Sequence, residues 1–155
     1  SQTKKEGKFY KSLEWFETGV KKREGCWNPH NGHFEGLHYK WYENGNLESK
    51  GVYLTGRRDG PWTCWHPNGT KESEGHFKPT PLECSSHHLD YKVGKWTEWH
   101  ETGFKSSEGK YAQKPSKLFY ERKIGIWQEW DEQGVLVQKM KYSKDRASTI
   151  YERQT

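Results

Sequence analysis

A chain of 155 residues with 26 Lys and Arg against 21 Asp and Glu carries a formal charge of +5 and suits one domain. Ile, Leu and Val contribute 16 residues and Ala two, so a helix bundle has little to pack with; no apolar run is long enough to cross a membrane as a helix. Trp, Tyr and Phe contribute 24 residues, and rings that bury roughly 150–250 Å² each separate this chain from disordered polymers of similar charge.

In chain order, EGKF (6–9) reads as the second half of a truncated unit, and five longer units follow it. The first is YKSLEWFETG (10–19). The next four are GLHYKWYENG (36–45), GPWTCWHPNG (60–69), GKWTEWHETG (94–103) and GIWQEWDEQG (125–134). Each carries Trp five residues after its opening position and closes on a hinge glycine, at 19, 45, 69, 103 and 134. Six residues beyond the hinge stands Gly25, Gly51, Gly75 or Gly109, with Met140 in the last unit. Two further on stands a ring: Trp27, Tyr53, Phe77, Tyr111 or Tyr142. Hinge spacings of 26, 24, 34 and 31 give a unit of about 24 residues, with loop inserts near 78–93 and 112–124.

Glycine after Thr, Asn or Gln at each hinge predicts a tight turn with positive φ, so each unit reads as a β-hairpin. The returning strands alternate: Glu48, Lys50, Glu72 and Glu74 fall on one face, and Ser49, Gly51, Tyr53, Ser73, Gly75 and Phe77 on the other. The second set is expected to face the core, its glycines leaving room for a neighbouring Trp to lie flat over backbone. In the outgoing strands Trp62 and Trp65, Trp96 and Trp99, and Trp127 and Trp130 stand three apart. Strict alternation puts such pairs on opposite faces unless a bulge intervenes.

This pattern, G-x-W-x-x-W-x-x-x-G and then six residues to G-x-aromatic, resembles the MORN-type repeat in its bacterial variant form. Proteins of that variant are commonly classed with antitoxin or immunity families. The resemblance spans roughly residues 6 to 142, with Tyr10, His38, Met140 and the inserts as departures. It implies an all-β fold, a single elongated antiparallel sheet of consecutive hairpins, with residues 1–155 as one repeat domain. It also implies a binding or scaffolding role without catalysis. Aromatic choline-binding cell-wall repeats are a second likeness, with a glycine spacing one residue shorter.

Other chemistry is thinly supported by the residues. His66, His100 and Asp131 share a column, but equivalent positions two strands apart stand near 10 Å, far for a shared ion. Cys84, His87 and His88, like His30 and His33, lack the spacing of a structural zinc site. Glu14, Glu98 and Glu129 share another column with Lys40 and Cys64, without a reason for unequal carboxylate pKa values. No metal site, catalytic residue or cofactor is therefore expected. Three cysteines without a CxxC pair leave the cellular compartment open.

The tryptophans carry the functional reading. Trp at the fifth position recurs in every unit (Trp15, Trp41, Trp65, Trp99, Trp130), which fits a packing demand. Trp62, Trp96 and Trp127 at the second position give way to His38 and Ser12 in earlier units. Trp62, Trp96, Trp127 and His38 are thus candidates for an exposed partner-binding groove, the alternative being a deeper core in the last three units. The expected partner of this monomer is another protein, a toxin among the candidates. A carbohydrate or phospholipid headgroup on the aromatic groove is the alternative. Acidic residues interspersed with the basic ones argue against specific nucleic-acid binding.

Overall fold

The computed structural model describes residues 2–6, 9–80, 90–114, 121–143 and 147–152, and every regular element among them is a strand. The strands are β1 (Gln2–Glu6), β2 (Phe9–Trp15), β3 (Lys21–Asn28), β4 (His33–Trp41), β5 (Leu47–Leu54) and β6 (Arg57–Trp65). They continue as β7 (Lys71–Pro79), β8 (Asp90–Trp99), β9 (Lys105–Tyr111), β10 (Lys123–Trp130), β11 (Leu136–Tyr142) and β12 (Ala147–Glu152). All twelve lie in one sheet in chain order, each antiparallel to the next. The fold is the expected series of hairpins, and β1 and β12 carry the sheet beyond residues 6 to 142. The first insert begins later than expected, because β7 runs through Pro79 and β8 starts at Asp90.

All five hinges turn at glycine, with φ between 80° (Gly134) and 88° (Gly45 and Gly103). In each, the glycine N–H donates to the carbonyl three residues back, as from Gly69 to His66 at 2.9 Å. Directly after the turn the returning strand holds one extra residue: Cys64 pairs with Ser73, but Trp65 pairs with Lys71. The same shift recurs in the other four hairpins. The outgoing strands therefore keep strict alternation, and the two tryptophans of a unit stand on opposite faces.

A second irregularity joins one hairpin to the next. Gly51 pairs with Trp62 while Val52 pairs with Asp59, so Gly60 and Pro61 bulge out of β6. The same step occurs at Gly36, Gly94 and Gly125. Each of these four glycines has φ between 66° and 77°, a conformation that side chains disfavour. The bulge sets the ring two residues on directly over the glycine of the preceding strand. A Cβ on Gly51 would lie 2.2 Å from Trp62, one on Gly75 2.2 Å from Trp96, and one on Gly109 2.1 Å from Trp127.

The core is the row of rings so placed. Tyr53, Trp62, Phe77, Trp96, Tyr111, Trp127 and Tyr142 form an unbroken edge-to-face series, with centroids 4.9 to 6.5 Å apart. Edge-to-face pairs add about 0.5–1.5 kcal/mol beyond the area that they bury. Substituting Gly75 by Ala drives a Cβ into the Trp96 ring. We expect it to destabilise the fold by about 2–3 kcal/mol, against about 1–2 kcal/mol for Gly103→Ala, where only the positive φ is strained. Urea unfolding of both variants measures the difference, and equal costs would refute the ring-over-glycine account.

Candidate functional site

The structure corrects the expectation of an exposed groove at the second ring position. Trp96 and Trp127 are 3% exposed, His38 5% and Trp62 7%, so all four rings belong to the core. Each indole N–H is satisfied there by the strand it covers. Trp62 Nε1 donates to the Val52 carbonyl at 3.1 Å, Trp96 Nε1 to His76 at 3.2 Å and Trp127 Nε1 to Lys110 at 3.1 Å. His38 makes the same bond, Nε2 to the Cys26 carbonyl at 2.8 Å, with its ring over Gly25. Because a carbonyl only accepts, the proton of the neutral ring sits on Nε2. His38 thus stands in for Trp as a smaller flat ring with the same donor, which is why a core position tolerates the exchange.

Long cations cover this face of the rings, a feature the repeat reading missed. Arg58 lies 3.7 Å from the Phe77 centroid, Lys92 4.6 Å from Trp96 and Lys123 4.1 Å from Trp127. All three stand two residues before the opening glycine of their units, a recurrence visible in the sequence. Arg58 pairs with Asp90, and Lys92 with Glu98 at 3.2 Å. Their stems and charges shield the rings that a single-layered sheet leaves on its surface.

The fifth-position tryptophans, expected to be the packed set, lie on the opposite face and remain partly in solvent; Trp15 is 38% exposed. Cross-strand pairing sets Trp15 beside Lys21, Trp65 beside Lys71 and Trp99 beside Lys105. Each lysine also reaches the next tryptophan: Lys21 lies 5.0 Å from Trp41, Lys71 5.0 Å from Trp99 and Lys105 5.8 Å from Trp130. The result is a stripe of alternating Trp and Lys, with Leu47 and Leu136 completing it. Every stripe lysine is tied to a glutamate three residues on, at 2.7 to 2.8 Å. Hydrogen bonds from Lys21 and Lys105 hold the carboxyls of Glu24 and Glu108 below the usual carboxylate range.

The histidine column has a structural use. His66 Nε2 donates to the Trp99 carbonyl at 2.9 Å and His100 Nε2 to Trp130 at 2.8 Å, while Tyr42 Oη donates to Trp65 at 2.8 Å. Asp131 instead accepts from the N–H groups of Gln133 and Val135 within its own turn. In the carboxylate column, Glu98 accepts from Ser107 and pairs with Lys92, and Glu14 stands 3.7 Å from Arg23. Burial pushes the Cys64 thiol up, away from the reactive thiolate. Cys84, His87 and His88 lie outside the described residues.

Three segments, residues 34–54, 58–78 and 123–144, match the family model described as a MORN repeat variant. The chain is similar to repeat modules that generally bind or scaffold without catalysis. The segment of β8 and β9 is not among the matches, yet it repeats the same ring, glycine and hydrogen-bond geometry. No curated protein matches the chain.

Two outcomes follow from these burials. Trp96→Ala should lower stability by about 3–5 kcal/mol, as expected for a lost core ring, measured by chemical denaturation. Desolvation holds His38 below its ordinary pKa of 6.5, with Arg23 acting in the same direction and the Cys26 and Glu35 carbonyls against it. The unfolded ring therefore takes a proton near pH 6.5 that the folded ring takes only at lower pH. Stability is full above that pH and falls as pH drops below it. In His38→Trp this part of the acid sensitivity should vanish; an unchanged profile between pH 6.5 and the folded pKa would contradict the assignment.

Proposed function

We propose that the chain is a non-catalytic protein-binding module whose contact surface is the Trp–Lys stripe. One observation carries the reading: Trp recurs at the fifth position of all five units, and none of these rings belongs to the buried core. Interfaces are enriched in aromatic residues, and partly exposed tryptophans are frequent binding anchors. Ten strands at about 4.8 Å give the stripe a length of roughly 40 Å, enough for an interface of ordinary size.

The alternating charges favour a protein over a headgroup or nucleic-acid partner. Each stripe lysine is matched by a glutamate, so the surface is mixed in sign rather than uniformly basic. The sugar or headgroup reading also loses its platform, since the rings assigned to it are core. Within the protein-binding reading, the resemblance to bacterial variant repeats makes a toxin, neutralised by an immunity-type contact, the first partner class to try. A strongly basic nuclease fits least, because a net charge of +5 on this chain slows its approach.

Trp65→Ser combined with Trp99→Ser should weaken partner capture from native extract roughly tenfold or more. The same pair should cost under ~3 kcal/mol of stability, both rings being partly exposed. Capture unchanged in the folded double variant would sink the stripe as the contact surface.

A further inference from the structure

Three Asn–Gly pairs stand in the chain, beginning at Asn31, Asn44 and Asn68. All three asparagines are exposed, and their local geometry is the same. Each side-chain Oδ1 accepts from the backbone N–H two residues on: from His33 at 2.9 Å, from Asn46 at 3.0 Å and from Thr70 at 2.9 Å. Each following glycine has positive φ, 70° at Gly32, 88° at Gly45 and 87° at Gly69, and donates its N–H to a carbonyl three or four residues back. The difference lies at Nδ2. Asn44 Nδ2 donates to the Pro67 carbonyl at 2.7 Å and Asn68 Nδ2 to the Glu101 carbonyl at 2.9 Å, each bond crossing to the turn of the next unit. Asn31 sits at the other end of the strands, between β3 and β4, and among the described residues its Nδ2 has no acceptor. The next connection on that edge meets the loop at Phe34, whose carbonyl accepts from the Gly56 N–H at 2.9 Å, and not at Asn31.

We propose that Asn31 is a site of spontaneous deamidation, passing through a succinimide to aspartate and isoaspartate, while the next unit holds Asn44 and Asn68 as amides. Hydroxide removes the Gly32 N–H proton, and the nitrogen bonds to Asn31 Cγ. The Cγ–Nδ2 bond then breaks, Nδ2 takes a proton from water and leaves as ammonia, and a cyclic imide remains. Water opens the ring at either of its carbonyls. Glycine favours the closure because no Cβ crowds the attacking nitrogen. To close the ring the carboxamide must turn, which gives up the Oδ1 bond at all three sites but an Nδ2 bond only at Asn44 and Asn68. One further hydrogen bond to break slows a step by about two- to tenfold. The aspartyl product adds a negative charge to the β3–β4 loop, and isoaspartate adds a methylene to its backbone path. Neither change removes a hydrogen bond between units, whereas conversion of Asn44 or Asn68 removes the donor that ties its turn to the next.

The test holds the full chain at mildly alkaline pH, folded in buffer and unfolded in concentrated guanidinium chloride, and follows its peptides by mass spectrometry over time. Chromatography against synthetic standards separates isoaspartyl from aspartyl peptides. In the folded chain Asn31 is expected to convert about fivefold or more faster than Asn44 and Asn68, and to give both products. In the unfolded chain the three rates should come within about twofold of one another. No conversion at Asn31, or conversion of Asn44 or Asn68 as fast as Asn31 in the folded chain, would overturn the proposal. An aspartyl product without isoaspartate, the mark of direct hydrolysis, would do the same. So would the same fivefold order in guanidinium, because the difference would then belong to the flanking residues and not to the bonds between units.

Discussion

A flat ring lying over a residue that has no side chain is the contact on which this structure depends. One sheet cannot bury either of its faces against a second layer, so its core has to be made within the thickness of its own side chains. Trp62, Trp96 and Trp127 achieve this by dropping onto Gly51, Gly75 and Gly109, each ring donating its N–H to the carbonyl of the residue after the glycine. The walls are rings from neighbouring strands, and the cover is a lysine or arginine stem. Burial and hydrogen bonding are satisfied by one placement, which leaves no buried donor unpaired on the indole.

The same economy governs the turn edge. Residues that begin each turn reach across to the next unit, as Tyr42 does to Trp65 and His66 to Trp99, and Asn68 and Thr102 add bonds from the turns themselves to Glu101 and Glu132. Each unit thus holds its neighbour at two levels, through rings in mid-strand and through polar side chains at the hinge. Stability in such an array is a sum of nearest-neighbour terms. A unit that departs from the pattern, as the second does at Phe34 and His38, alters its surface locally while its neighbours keep it in register.

Two faces with different obligations result. One is committed to the core, its rings packed over glycine and covered by cation stems. The other carries tryptophans held beside lysines and left partly in solvent, with each charge locally compensated. A surface of that kind gives contact area from rings and orientation from charge without a strong field of either sign.

Much of this was legible in the residues. The five hinge glycines, the alternation of Ser49, Gly51 and Tyr53 against Glu48 and Lys50, and the ring two residues after each glycine define hairpins, register and core face through local rules alone. The sites were less legible. Sequence showed two tryptophans on opposite parities in each of the last three units, but which set is buried depends on the outward step at Gly36, Gly60, Gly94 and Gly125, and so on which glycine of the preceding strand lies beneath the ring. Replacement of Trp by His38 looked like a tolerance of exposure, and only the bond to the Cys26 carbonyl identifies it as a core exchange. The covering role of Arg58, Lys92 and Lys123 was equally out of reach: Arg58 covers a ring of the next strand, and Lys92 and Lys123 reach rings four residues on in their own strands across the bulges at Gly94 and Gly125. Period and turn chemistry are properties of a single segment and are written in its order. Burial is a property of what the neighbouring strand places underneath, and that was decided by the sheet.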